Sequence, residues 1–173
     1  RLISFFLVLF LFSFSVSSAT TADSLIMELE KVEQEESLTD LYRINFQLGR
    51  EYSSEREEKY EIATFHFTEA LKVAIATNHT KDQLDCLYGI GCTHQRRNNY
   101  QEALDFFHQS IDLAAEFSAE IDHAQMARVY TQISAVYQVL GDYKKAFDNQ
   151  MQSLLICEKN NDLAEIANGQ YNF

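Results

Sequence analysis

The feature that most constrains this chain is an internal repeat of about 40 residues. Tyr60, Tyr100 and Tyr143 are each followed three residues later by an alanine and ten residues later by a small residue. The tyrosines recur after 40 and then 43 residues. A period of this length is typical of stacked supersecondary units, none of which can bury its apolar face alone. We therefore expect an array in which each unit packs mainly against its neighbours.

Each unit is predicted to be a helix, a tight turn and a second helix. Apolar residues recur at three- and four-residue spacing before and after each turn, which is the helical period. The 173 residues contain no proline and only five glycines. A β protein with many turns would need more of both, so the composition also indicates an all-α chain. The predicted helices cover 41–52, 58–74, 84–95, 98–114, 127–140 and 141–157.

The repeated positions resemble those of the tetratricopeptide repeat family. A bulky residue precedes a tiny one at Leu48-Gly49, Ile90-Gly91 and Ile133-Ser134, and Gly141-Asp142-Tyr143 matches the family's turn. The resemblance implies a right-handed superhelix of antiparallel helix pairs over 39–173, with three repeats and the start of a fourth. That fourth repeat would open with Ala167, Gln170 and Phe173.

The sequence departs from the family pattern in three places. Two extra residues separate Tyr52 from Tyr60, His94 stands where a tyrosine is expected, and Gln150 stands where an aromatic residue is expected. The units also exceed the usual 34 residues, and in this they resemble repeats of exported bacterial sensor proteins. The additional residues are expected after each second helix, at 75–81, 115–123 and 159–162.

The N-terminal segment is apolar and uncharged between Arg1 and Asp23. Its densest part is Phe5–Phe12, and small residues lead up to Ala19. This layout predicts a secretory signal peptide over 1–19. A permanent membrane anchor is the alternative, although the densely apolar part is shorter than the roughly 20 residues that usually span a bilayer.

Charge excludes several classes of partner. Fourteen Lys and Arg against 26 Asp and Glu give a net charge of −12, which disfavours nucleic acid. The same acidity disfavours docking on anionic lipid, so we expect membrane contact only through the N-terminal segment or a part beyond Phe173. An amphipathic segment over 23–37 is predicted to cap the open end of the stack, with Leu25, Leu29 and Val32 on its inner side.

The resemblance also implies where a ligand binds, because the first helices of stacked repeats line the concave side. Four residues of this wall are arginines, and with Phe46 and Tyr88 they would grip an acidic or extended peptide through bidentate and stacking contacts. The alternative is that the arginines face solvent or pair with acidic side chains. The residues projected onto this wall are Arg43, Phe46, Arg50, Asp85, Tyr88, Gln95, Arg96, Arg128, Thr131 and Gln138.

The sequence contains no motif for catalysis, a metal or a cofactor. Its five histidines form no pair at four-residue spacing, and the Gly89-Ile90-Gly91 run lies within a predicted helix and not after a strand. The cysteines Cys86 and Cys92 lie on different faces of one helix and cannot bridge. We therefore expect no enzyme activity and no cofactor in this chain.

Together these observations favour an exported interaction module on the periplasmic or extracellular side of a membrane. It would be the sensory or scaffolding N-terminal part of a larger bacterial signalling protein, and it would bind a protein or peptide. The alternative is a spacer or dimerisation module for a kinase or cyclase output domain, with no ligand of its own. Exposed apolar residues at the C-terminal end of the stack also predict homo-oligomerisation.

Overall fold

The computed structural model describes residues 21–35, 37–54, 59–117 and 123–159. Those ranges hold seven helices and no strand, so the all-α prediction is confirmed. Helices α2 to α7 form three successive hairpins, α2–α3, α4–α5 and α6–α7, as expected for a helical solenoid. The helices are α1 (Thr21–Glu35), α2 (Leu38–Ser54), α3 (Tyr60–Ala76), α4 (Thr80–Arg96), α5 (Tyr100–Glu116), α6 (His123–Val139) and α7 (Tyr143–Lys159).

Helix α1 packs against the first hairpin through one apolar face. Leu25 and Val32 are buried together with Ile44 and Leu48 of α2, and Leu29 packs beside them. The helix begins and ends two residues earlier than the predicted cap over 23–37. The predicted signal segment 1–19 and the predicted start of a fourth repeat lie outside the described residues. Among the helices that are described, none combines the length and the apolar content needed to cross a bilayer.

Three of the turns between consecutive helices have the same length and hydrogen bonding. They span 77–79, 97–99 and 140–142, and the middle residue has a positive φ of 55° in Asn78, 61° in Asn98 and 78° in Gly141. The third residue donates its amide to the carbonyl five residues earlier, as His79 does to Ala74 at 3.0 Å. This is the Schellman motif, in which a left-handed residue ends the helix.

After α3 the extra length lies in the helices and not in a loop, whereas six residues separate α5 from α6, within the predicted surplus at 115–123. The prediction of surplus residues at 75–81 is wrong, because α3 runs to Ala76 and α4 begins at Thr80. Ala115 likewise belongs to α5. Each of the six paired helices has 17 residues. Longer helices satisfy more backbone groups internally and widen the surface that each repeat offers to its neighbours.

Small residues allow close approach within each repeat. Ala63, Ala103 and Ala146 are almost completely buried at equivalent places in the second helices. The ring of Phe67 fills the space between Gly49 and Gly89, where a Cβ on either glycine would lie 2.7 or 2.8 Å from the ring. Through this ring α3 contacts both α2 and α4.

An aromatic stack recurs in the first two repeats with its partners exchanged. In the first repeat Tyr52 of α2 stacks on His66 of α3, with ring centroids 5.8 Å apart. In the second repeat His94 of α4 stacks on Phe106 of α5 at 5.4 Å. His94 therefore replaces the tyrosine of the family pattern, because the opposite helix supplies the aromatic ring.

Candidate functional site

A groove of about 860 Å³ runs across the first helices of all three repeats. Helix α2 supplies Phe46 and Arg50, α4 supplies more lining residues than any other helix, and α6 supplies Arg128 and Gln132. Its volume lies within the range of clefts that bind small ligands. Residues at equivalent places in successive helices line it, since helices with the same length and turn geometry point the same face inward.

The rim of the groove is positively charged although the chain is acidic. Three arginines, Arg50, Arg96 and Arg128, line the groove and are exposed to solvent, whereas Asp85 is the one acidic residue among the lining side chains. Asp85 accepts a hydrogen bond of 2.7 Å at Oδ1 from Nε2 of the buried Gln125. The groove therefore presents a local excess of positive charge in a chain with a net charge of −12.

The floor of the groove is aromatic and partly apolar. Phe46 packs edge-on against Phe67 with ring centroids 5.5 Å apart, and Tyr88 lies 6.2 Å from Phe107. Burial, followed by the neighbouring Cys92, raises the pKa of the Tyr88 hydroxyl, which therefore stays protonated. Such a floor contacts apolar side chains or the backbone of a ligand and leaves charge recognition to the rim.

Two hydrogen bonds across repeats hold the groove in shape. Arg96 of α4 donates from its guanidinium to the carbonyl of Ser53 in α2. Gln125 of α6 donates to Asp85 of α4, as described above. Because each bond joins the first helices of adjacent repeats, the spacing between those helices is fixed at both ends of the groove.

Cys92 has the wrong properties for a nucleophile. It lies in the groove floor, and burial raises the pKa of its thiol to about 11, although Tyr88 and Arg96 each act in the opposite direction. A catalytic cysteine needs a thiolate, which requires a lowered pKa. Over the described ranges, no three His, Cys, Asp or Glu side chains converge in a way that would hold a metal ion.

The structure brings seven of the ten predicted wall residues into the groove. The three others do not line the groove. Arg43 pairs with Glu28 of the capping helix at 2.7 Å. Thr131 hydrogen bonds to Ser153 at 3.0 Å, and Gln138 is exposed beyond the cavity wall. The seven that line the groove are Phe46, Arg50, Asp85, Tyr88, Gln95, Arg96 and Arg128.

Other lining residues were not named from the sequence. Gln132 and Gly89 occupy equivalent positions 43 residues apart, next to predicted wall residues, so the repeat register contained the signal for them. Phe67 and Tyr100 belong to second helices, which the family pattern assigns to packing. The lining residues missed in this way are Phe67, Gly89, Asn98, Tyr100, Gln125, Gln132 and Val139.

The chain is similar to one family model and to several solved structures. A tetratricopeptide repeat model matches residues 83–116, which cover most of α4 and all of α5. The tetratricopeptide domain of FLU from Arabidopsis superposes with a TM-score of 0.63 at 20% identity, covering 71% of this chain and 99% of that one. No curated protein sequence matches the chain.

Two further structures are longer than this chain. RapI without ligand has a TM-score of 0.72 at 18% identity, covering 84% of this chain and 51% of RapI. A Rap protein in complex with competence and sporulation factor has a TM-score of 0.69 at 17% identity, covering 86% of this chain and 40% of that one. The chain thus spans about half the length of these two proteins, and at such identities the likeness establishes the helical solenoid fold alone.

Proposed function

We propose, on the premise that this chain belongs to the tetratricopeptide repeat family, that its groove binds an extended acidic segment of a partner protein. The fold is one that serves protein–protein interaction, and the groove gives that general role a specific chemistry. The observation that carries the proposal is the set of exposed arginines, Arg50, Arg96 and Arg128, around one cavity of an acidic chain.

Electrostatics favours an acidic ligand for two reasons. The arginines attract an acidic segment at short range inside the groove. The acidic residues elsewhere on the chain repel the same segment, so it should bind at the groove and not at other surfaces. Guanidinium groups also form paired hydrogen bonds with carboxylates, which fix the orientation of a ligand as well as its charge. The side-chain amides of Gln95, Asn98 and Gln132 line the same cavity and suit the peptide backbone.

The dimensions favour an extended segment. Neighbouring packed helices lie about 8–10 Å apart, so a groove across three first helices is about 20 Å long. An extended chain advances about 3.3 Å per residue, so about six residues fit. Carboxylates three residues apart on such a segment would meet arginines contributed by successive repeats.

The absence of a usable thiolate supports binding without catalysis. The groove contains Cys92, whose thiol is held protonated at neutral pH by burial. No histidine lines the cavity among the described residues, and the one carboxylate there, Asp85, accepts a hydrogen bond from Gln125. We assign the described part of the chain a recognition role.

We further propose that the chain is exported and forms the sensory or scaffolding end of a larger bacterial signalling protein. The apolar segment before Asp23 supports export. Fusing residues 1–40 to a reporter enzyme that is active only after export tests this, and N-terminal sequencing of the product locates cleavage. Reporter activity with a new N-terminus near Thr20 supports a signal peptide, activity with an uncut segment supports an anchor, and an inactive reporter contradicts export.

Charge reversal tests the groove. The probe is a fluorescent ten-residue peptide with Glu at every third position and Gly at the others, and a peptide with Lys in place of Glu is the control ligand. Fluorescence anisotropy should show that the acidic peptide binds and that the triple variant Arg50→Glu, Arg96→Glu, Arg128→Glu loses at least tenfold in affinity. Single reversals should cost less, because exposed ion pairs contribute about 0.2–1 kcal/mol each.

A matched variant separates local from overall charge. Lys81→Glu changes the charge of α4 by the same amount as Arg96→Glu, but Lys81 does not line the cavity. Circular dichroism should show equal helix content in all variants. The groove assignment is rejected if Lys81→Glu weakens binding as much as Arg128→Glu, or if the triple variant binds like the parent.

A spacer without a ligand is the second candidate function. The exposed apolar face of the last described helix favours it, since Tyr143 and Phe147 are 73% and 54% exposed. A spacer predicts that neither peptide binds and that the groove variants behave like the parent chain in signalling assays of the whole protein.

A further inference from the structure

A smaller cavity of about 330 Å³ lies between helices α1 and α2 and adjoins the groove. The two share Arg50, which lines both. The repeat register relates them as well, because Gln47 lines the small cavity and its equivalents Gly89 and Gln132 line the groove. The small cavity therefore continues the groove past α2, and we call it the end cavity. Its lining residues are Thr21, Leu25, Gln47, Arg50, Glu51 and Ser54.

The end cavity contains a carboxylate at a position that is uncharged in the other repeats. The residues equivalent to Glu51 are Thr93 and Val136, and both are completely buried. Glu51 is half-buried, and within the described ranges no Lys, Arg or His pairs with its carboxylate. A carboxylate that is partly withdrawn from water is stabilised by a cation. The end cavity therefore favours a positively charged group on a ligand.

The other lining residues suit a cation on an aliphatic stem. Leu25 is buried and contributes apolar surface, whereas the hydroxyls of Thr21 and Ser54 and the amide oxygen of Gln47 can accept hydrogen bonds. The C-terminal end of α2, whose dipole attracts a cation, lies at the same place, and the positive end of α1 carries its own acid, Asp23. Lys and Arg side chains pack their methylene groups on such a surface and keep their charge at its rim.

We propose that the end cavity binds a Lys or Arg side chain that flanks the acidic segment in the groove, with its charge facing Glu51. This inference rests on the proposed groove function and adds a second element to the ligand. Arg50 then binds a carboxylate of the acidic segment, and Glu51 binds the basic residue beside it, so opposite charges on neighbouring residues of α2 select the opposite pattern in the partner. Packed helices lie about 8–10 Å apart, which an extended chain covers in about three residues.

Peptides that differ only in one flanking residue test the end cavity. Each contains the sequence Glu-Gly-Gly-Glu-Gly-Gly-Glu and carries two further glycines and then Lys, Gln or Glu at either its N-terminal or its C-terminal end. Fluorescence anisotropy with the full chain should show that Lys at one of the two ends raises the affinity about threefold over Gln. Glu at that end should not raise it.

Three variants locate the gain in affinity. Glu51→Gln removes the charge, and Thr21→Trp fills the cavity from the exposed first residue of α1, so each should abolish the difference between the Lys and Gln peptides. Glu30→Gln is the matched control, because it removes the same charge from an exposed position of α1 that does not line the cavity, and it should keep the difference. Circular dichroism should show equal helix content in all three.

Several results would overturn the proposal. A gain from Lys that persists in Glu51→Gln, or that Glu30→Gln removes equally, would place the basic residue elsewhere. A larger gain from Glu than from Lys would show that the cavity takes an anion. If the Gln peptides bind and Lys adds nothing at either end, the end cavity alone is rejected and the groove function stands. If no peptide binds, both are rejected.

Discussion

The second and third repeats have the same pair of helices but different side chains where the two helices of the repeat contact each other. In the second repeat Phe107 is buried and its ring lies so near Gly91 that a Cβ there would be 2.5 Å away. In the third repeat the equivalent positions are Gln150 and Ser134. Ser134 has a Cβ and donates a hydrogen bond of 2.8 Å from Oγ to the carbonyl of Ala146.

The difference shows that volume at this contact is shared between two helices. A large ring on the second helix requires a glycine on the first, whereas a thinner side chain leaves room for a serine. The combined volume of the two contacting side chains must stay nearly constant, since protein cores have few voids. Gln150 therefore departs from the family pattern together with Ser134, and the two departures compensate each other.

The largest expected effect comes from deleting the ring. Phe107→Ala should destabilise the chain by about 3–5 kcal/mol, because it removes a fully buried aromatic side chain and leaves a cavity. Gln150→Ala should destabilise the chain by clearly less, because burial of an amide side chain is less favourable than burial of an aromatic ring. Urea denaturation followed by circular dichroism measures both. Equal losses would show that the two contacts contribute alike and would remove the contrast between the repeats.

Exchange of the pair sharpens the comparison. Gly91→Ser alone should destabilise by about 1–3 kcal/mol, because the added atoms overlap the ring of Phe107. Adding Phe107→Gln recreates the combination found at Ser134 and Gln150. The double variant should be more stable than the sum of the single variants predicts, with a coupling energy of about 0.5–3 kcal/mol as is typical of residues in contact.

The single variants are the controls for this cycle, and the same denaturation assay applies. Strict additivity of Gly91→Ser and Phe107→Gln would contradict shared volume at the contact. A matched variant far from it, Gln101→Ser on the exposed side of α5, should change stability by less than about 0.5 kcal/mol.

The smallest expected effect on stability concerns the first repeat, in which a polar pair is buried. Asn45 donates to the carbonyl of Leu41 at 3.0 Å, so its Oδ1 faces His66 and accepts from Nδ1–H at 2.8 Å. Burial lowers the pKa of His66 below 6.5, against the opposing charge of Glu69. The unfolded chain therefore takes up a proton at higher pH than the folded chain does, and stability should fall as the pH drops below 6.5.

Replacing this pair by its counterparts in the second repeat should reduce the acid sensitivity. The counterparts of Asn45 and His66 are Leu87 and Phe106. Melting temperatures of the parent and of the variant Asn45→Leu, His66→Phe, compared at pH 7.5 and 5.5, measure the change. Part of the dependence should remain, because burial also lowers the pKa of His94. A variant with the full acid sensitivity of the parent would exclude His66 as a source.

The period, the helix pairs and the small buried positions could all be predicted from the sequence, because tandem units impose the same packing at the same register. The ends of the helices are harder to predict from the sequence. Asn78 ends α3 in a left-handed conformation, and a Thr-Asn-His run gives a weaker stop signal than the glycine at 141. The sequence therefore predicts surplus residues at 75–81, where the structure has a turn of three residues at 77–79.

The groove was predictable only in part, for reasons of tertiary structure. A projected repeat position does not reveal that Arg43 pairs with Glu28 of α1 and so lies apart from the groove. Nor does it reveal that Phe67 of a second helix reaches the groove floor beside Gly89. The binding role of the seven residues that do line the groove stays a prediction until charge reversal is measured.

The three-residue turns govern where this chain tolerates insertions. Each residue of 77–79, 97–99 and 140–142 contributes its amide to the closure of a helix end. One added residue there would rotate the following helix by about 100° and turn its core side chains toward water. The joints at 55–59 and 117–122 are five and six residues long by the helix bounds. Epitope tags, fluorophores or grafted loops should accordingly be introduced at those two joints.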